Sequence, residues 1–151
     1  LHSFPTRRSS DLHIAITSHR DLFVWQKSIA LASKVYAATR LLPSEEHSGL
    51  NQQLRCAAVS IASSIAEGSA RSSRAEFIQF LRAACGSLSQ IETQVLIAAD
   101  QGLIGQSELL IEDIAEVGRL LNGLIRSVNS AGRIAHAKAC SFCLPTAGGQ
   151  A

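Results

Sequence analysis

An acidic side chain that closes an apolar helical run needs a partner. Glu67 stands beside Gly68 and close to Arg71 and Arg74. Its carboxylate can form an ion pair at the helix end, or it can sit buried and partnered at a subunit contact. Cys56, Ser60, Ser64 and Gly68 step by four through the same segment. Such a row of small side chains lets a neighbouring backbone come close, as simple tight packing or, for Ser60, Ser64 and Gly68 together with Glu67, as a candidate subunit contact. Arg55, Arg71, Arg74 and Arg82 surround the junction that follows and are the candidate nucleic-acid-binding residues. Any such binding is to phosphates, because Trp25, Tyr36 and Phe77 fall on apolar stripes and leave no aromatic surface for stacking bases.

Other chemistry lacks its residues. Di-iron bundles need Glu-x-x-His pairs facing inward, and His2, His13, His19, His47 and His136 are scattered without one. Heme needs an axial His or Met inside the bundle; the chain has no Met and no His on an apolar stripe. No phosphate loop or dinucleotide glycine fingerprint is present, and no serine has a recognisable base. His136, Cys140 and Cys143 give H-x3-C-x2-C, but zinc needs a fourth ligand and an ordered frame. These thiols read as incidental to a tail. No catalytic residue, metal or cofactor is assigned, and the chain reads as a non-enzyme.

The elements that position these residues are helical. Trp25, Ile29, Ala32, Tyr36 and Thr39 recur at steps of four and three, and Val24, Leu31, Val35, Ala38 and Leu42 run beside them. Asp21 is an N-cap candidate, and Pro43 stops this helix near Leu42. Ser44 is expected to cap a second helix, with Glu45 and Glu46 in its first turn and Leu50, Leu54, Ala57, Ile61 and Ile65 as its apolar line. Ser73 and Glu76 have capping-box spacing. The third helix then carries Phe77, Leu81, Ala84, Leu88, Ile91, Val95 and Ala98, with Gly102 as its C′ residue and Leu103 and Ile104 packing back. Ser107 can cap a fourth helix bearing Leu110, Ile114, Val117, Leu121, Leu124 and Val128. Its acids come early and its bases late, in the order the helix dipole prefers. Four helices with short connections predict an all-α, antiparallel up-down four-helix bundle over 21–131, with 13–20 as a lead-in and 132–151 as a disordered tail.

Composition bounds the rest. The chain has 151 residues, 46% apolar and 17% charged, where a soluble domain carries about 25% charged residues. The charge is thin for a monomer's surface, and the first and fourth helices carry double apolar stripes, so part of the surface is expected to be covered in a homo-oligomer. The longest uncharged run of the helical part, between Arg55 and Glu67, is short of the roughly 18 residues that cross a membrane. Cys56 and Cys85 sit in apolar helical patterns, which suits reduced thiols and a cytoplasmic setting.

Residues 1–12, LHSFPTRRSSDL, differ from everything after them. No apolar region follows Arg7 and Arg8, as an export signal requires. The pair is also too isolated for a basic arm. Residues 2–12 coincide instead with the translation of a common sequencing-library adapter, so 1–12 are read as non-native. Without them 12 basic and 11 acidic side chains remain.

The segments DLFVWQKSIALASKVY (21–36), GLNQQLRCAAVSIASSIAEGSAR (49–71), EFIQFLRAACGSLSQIE (76–92) and GRLLNGLIRS (118–127) together resemble a family of bacterial four-helix bundle proteins. Its founding members are encoded in intervening sequences of 23S rRNA genes. The resemblance spans about 19–130. It implies a homopentameric ring without known catalytic activity, related to the accessory protein of diversity-generating retroelements, which binds a reverse transcriptase and nucleic acid. Cys56 stands where the family usually has a second arginine, Ala62 and Ser64 where it often has Pro and Asn, and Gln90 where it usually has Glu.

Two functions follow: an RNA- or DNA-binding accessory protein, or a protein-interaction scaffold that touches no nucleic acid. Clustering of Arg55, Arg71, Arg74 and Arg82 on one outer face favours the first. Their dispersal, or neutralisation by Glu67 and Glu76, favours the second. Deleting residues 1–12 is expected to leave the thermal melting temperature unchanged; a clear drop would show that they pack.

Overall fold

The computed structural model describes residues 18–46, 49–105 and 107–140, except for the side chains of 46 and 132–140. After one tight helical turn at His19–Asp21 come α1 (Phe23–Thr39), α2 (Leu50–Ser69), α3 (Arg74–Asp100) and α4 (Ser107–Cys140). No strand occurs among the described residues. Each helix touches its two neighbours in the cycle α1–α2–α3–α4, and the α2–α3 contact is the most extensive. Neighbours run antiparallel. Gly68 meets Phe80 while Gln53 meets Gln94 across α2 and α3, and Lys27 meets Glu116 while Lys34 meets Asp113 across α1 and α4. The chain forms a four-helix bundle.

Helix ends differ from the expected caps at three of five places. Asp21 closes the preceding turn and Leu22 is the N-cap of α1, without a side-chain cap. Ser44–Glu46 forms a separate turn, so α2 starts only at Leu50, after Gly49, and has no acid in its first turn. Ser107 is the first residue of α4, and its cap position, 106, lies outside the described residues. The other two follow the pattern. The Ser73 hydroxyl accepts from the Glu76 amide at 3.4 Å. Gly102, at φ +68°, donates to Ala99 O while Leu103 donates to Ala98 O, the paired bonds that close an α-helix through a left-handed residue. α4 continues through 132–140, a stretch assigned to the tail from sequence; residues 141–151 and 1–17 lie outside the described set.

The core confirms α3 and α4 and, of the two stripes expected on α1, buries the one with Val24, Leu31, Val35 and Leu42. Leu81, Ala84, Leu88, Ile91, Val95 and Ala98 of α3 are buried, with Phe77 partly so, against Leu110, Ile114, Val117 and Leu121 of α4. Leu54, Ala57, Ala58, Ile61 and Ile65 of α2 join them. In α1 the buried face is Val24, Ser28, Leu31, Val35 and Thr39. Ile29 and Tyr36, expected on a core stripe, are exposed, and Trp25 is only partly buried. The reason lies in two hydroxyls that need no outside partner. Ser28 Oγ donates to Val24 O at 2.7 Å and Thr39 Oγ1 to Val35 O at 2.8 Å, which makes their burial inexpensive.

Two helix glycines separate packing from propensity. A Cβ on Gly68 would stand 2.5 Å from Phe80 Cβ and 3.0 Å from Phe77 Cδ2, whereas one on Gly86 would meet nothing within 4 Å. Alanine in a helix interior is favoured over glycine by about 1 kcal/mol. Gly86→Ala is therefore expected to raise stability by roughly 0.5–1 kcal/mol. Gly68→Ala is expected to lower it, because overpacking of about 1–3 kcal/mol outweighs the propensity gain. Urea unfolding of both variants checks the opposite signs; equal shifts would contradict the close approach.

Candidate functional site

Of the basic residues expected around the α2–α3 junction, Arg71 lies in the connection and Arg74 opens α3, while Arg82 and Arg55 lie farther along their helices. Arg55 lies in the second turn of α2 and Arg71 beyond its C-terminal end, so roughly 20 Å of helix separates them. Arg71 is already engaged: its Nη2 donates to Glu67 Oε1 at 2.9 Å, and its guanidinium lies 5.0 Å from the Phe80 ring centre. Arg74 and Arg82 are exposed. Arg71 and Arg74 thus stand at the junction, Arg82 about two turns into α3 and Arg55 near the other end of α2, with Arg71 paired to Glu67.

Glu67 is exposed and forms the helix-end ion pair, not a buried carboxylate. Of the small residues in its row, Gly68 is buried against Phe77 and Phe80, and Ser60 accepts a 3.0 Å hydrogen bond from Ser87. Both serve the contact between α2 and α3 within the chain. Ser64 is half-buried and Cys56 is exposed.

Arg55 instead belongs to a polar junction between the end of α1 and the start of α2. Its Nε donates to Thr39 Oγ1 at 2.8 Å, and its guanidinium lies 4.8 Å from the centre of the Tyr36 ring. The buried Asn51 donates through Nδ2 to Thr39 O at 3.1 Å, which satisfies a carbonyl of the last turn of α1. These contacts fix one wall of a groove of about 790 Å³ between α1 and α2, whose rim carries Arg40, Gln52, Cys56 and Val59. Sequence reasoning missed Arg40, Asn51 and Gln52. One signal was available: Asn51, Leu54, Ala58, Ile61 and Ile65 share one helical face, so Asn51 points where the core does.

A second groove, of about 510 Å³, lies between α1 and α4 and is lined by Leu41, Leu103, Ile104 and Leu109. Lys34 and Asp113, paired at 2.6 Å, border it. Its apolar lip is open to water: Leu41 is 85% and Leu109 56% exposed.

The thiols differ in setting. Cys85 is half-buried in α3, where desolvation pushes its thiol up, opposed by a backbone hydrogen bond. Cys56 is open to solvent. Among the described residues no group of three His, Cys, Asp or Glu could hold a metal, and no helix is long and apolar enough to cross a membrane. The side chains of His136 and Cys140, and Cys143 as a whole, lie outside the described set.

Comparison with known proteins fits this architecture. No curated protein matches the chain. A solved structure at 1.70 Å resolution, of a protein with unknown function from the S23 ribosomal protein family of Bacteroides thetaiotaomicron VPI-5482, is similar with a TM-score of 0.64. The two are 24% identical, over 68% of this chain and 95% of that one. At that identity the likeness speaks for the fold. The family model described as 23S rRNA-intervening sequence protein matches residues 20–123. The match takes in α1, α2, α3 and the first half of α4, and the chain belongs to the 23S rRNA-intervening sequence protein family.

Proposed function

We propose that this protein is a non-enzymatic scaffold, a helical bundle that self-associates through its outer apolar faces and holds a protein partner. The observation that carries the reading is the lip between α1 and α4, where Leu41 and Leu109 stand in water. Burying a side chain of that size contributes about 1.5–3 kcal/mol, which a second copy can supply. The neighbouring charges, Lys34 and Asp113, already match one another, so covering this face strands no cation. Leu96 and Ile97 on the outside of α3 add further exposed apolar surface. The family resemblance suggests five copies, and a cytoplasmic setting goes with it.

A nucleic-acid accessory role is the second reading. It is supported by Arg74 and Arg82, which are exposed and have no hydrogen bond or ion pair among the described residues, and by the family's link to an rRNA gene. The separation of Arg55 from the other three and the Arg71–Glu67 pair weigh against it.

Light scattering at micromolar concentration is expected to give an oligomer, and the double variant Leu41→Glu with Leu109→Glu a smaller species of unchanged helicity. A monomeric wild type would contradict the scaffold. Filter retention of RNA and DNA at low salt is expected to be absent. Retention that falls steeply with salt, and is lost when Arg71 and Arg74 are reversed to Glu, would transfer the function to the accessory reading.

A further inference from the structure

We infer that the groove between α1 and α2 is a docking site for a protein segment that carries carboxylates beside apolar side chains. The inference rests on the scaffold reading and gives that scaffold the chemistry of its partner.

The groove holds two guanidiniums, Arg40 and Arg55, and none of the described residues lining it is acidic. Three ion pairs join other parts of the bundle, Lys27–Glu116, Lys34–Asp113 and Arg71–Glu67, while Arg74 and Arg82 stand singly on its outside. Here neither arginine has a carboxylate partner among the described residues. Arg55 is also held in place. Its Nε is tied to Thr39 Oγ1 and its guanidinium carbon lies over the Tyr36 ring, which leaves the two terminal nitrogens as a held fork. A fork of that kind fits a carboxylate through two parallel hydrogen bonds, and a side chain already ordered loses little entropy when it binds.

The remainder of the groove mixes apolar surface with the polar side chains of Thr39, Asn51, Gln52 and Ser60. Tyr36 and Val59 are exposed large side chains, Cys56 is open beside them, and Gln52 offers an amide at the rim. An occupant must therefore supply carboxylates to the arginines and apolar side chains to the surface between them.

Charge decides against a nucleic acid strand. The chain carries 14 Lys and Arg against 12 Asp and Glu, so the net positive field that would draw in a polyanion is small. Within one copy two arginines give a strand about two phosphate contacts, where proteins with strong salt-dependent binding make roughly six to ten, so a strand would have to span several copies. Self-association is better served by the neutral α1–α4 lip, since covering the α1–α2 groove without an incoming acid would bury two unpaired cations.

The test uses the full chain and three fluorescent probes: short peptides in which Glu and Leu alternate in different registers, the same peptides with Gln for Glu, and an oligothymidylate. Binding is read by anisotropy at low salt, and the site by the rate of Cys56 alkylation, resolved from the other thiols by mass spectrometry. The Glu–Leu peptides are expected to bind and to slow alkylation of Cys56, and the Gln versions to bind at least about tenfold more weakly. Arg40→Glu is expected to weaken the Glu–Leu peptides by a similar factor, with melting temperature and oligomer size unchanged, and Arg40→Lys to restore most of the binding. Peptide binding that leaves Cys56 fully reactive would overturn the groove while sparing the scaffold. Protection of Cys56 by oligothymidylate, with no peptide bound, would overturn both. Binding of neither probe, or a change of oligomer size in Arg40→Glu, would overturn the groove as a partner site.

Discussion

The close approach of α2 to α3 at Gly68 sets the rest of the structure. With no side chain at that position, Phe80 and Phe77 lie against the α2 backbone itself. From there the two helices stay in register along their length, through Ser60 with Ser87 and Gln53 with Gln94. A pair packed this tightly buries Ile61, Ile65, Leu81, Ala84 and Ile91 completely. It also presents one shared apolar seam, onto which α1 and α4 settle from either side. The exposed ion pairs that join α1 to α4 are worth little by themselves; they orient helices that the core already holds.

The way α1 settles determines which surfaces remain outside. Its inward face includes Ser28 and Thr39, both fully buried, each bonded back to its own helix. Turning that face inward directs Ile29 and Tyr36 out and brings Thr39 within reach of Asn51 and Arg55. The polar junction, the orientation of Arg55 and the groove beside it are thus consequences of one rotational choice by α1. The same choice leaves Leu41, past the end of the helix, in solvent beside Leu109.

This is also where sequence reading stopped. α3 and α4 could be read because their buried positions are apolar at nearly every step, so periodicity and burial coincide. α1 carries two competing stripes, and the richer one, with Trp25, Ile29 and Tyr36, faces largely outward. A hydroxyl that satisfies itself within its helix looks polar in a sequence and behaves as neutral in a core, so Ser28 and Thr39 complete the buried stripe of Val24, Leu31 and Val35. The start of α2 was placed too early because Ser44–Glu46 has the composition of a helix start yet forms only an isolated turn. The arginines were assigned to one cluster because Arg71, Arg74 and Arg82 follow one another closely along the chain. Arg55, more than four turns of helix earlier, faces α1 instead. No property of its neighbours in sequence reveals that Thr39 and Tyr36 receive it.

If the α2–α3 pair is the frame on which the other helices rest, it must be the last part of the molecule to open. Native-state hydrogen exchange resolved by residue measures this directly, because amides that exchange only through global unfolding report the most stable unit. The amides from Ala58 to Ile65 and from Leu81 to Ile91 are expected to be the slowest, with those of α1 and the outer turns of α4 exchanging through smaller openings. Amides of α1 or α4 that outlast those of α2 and α3 would contradict the account.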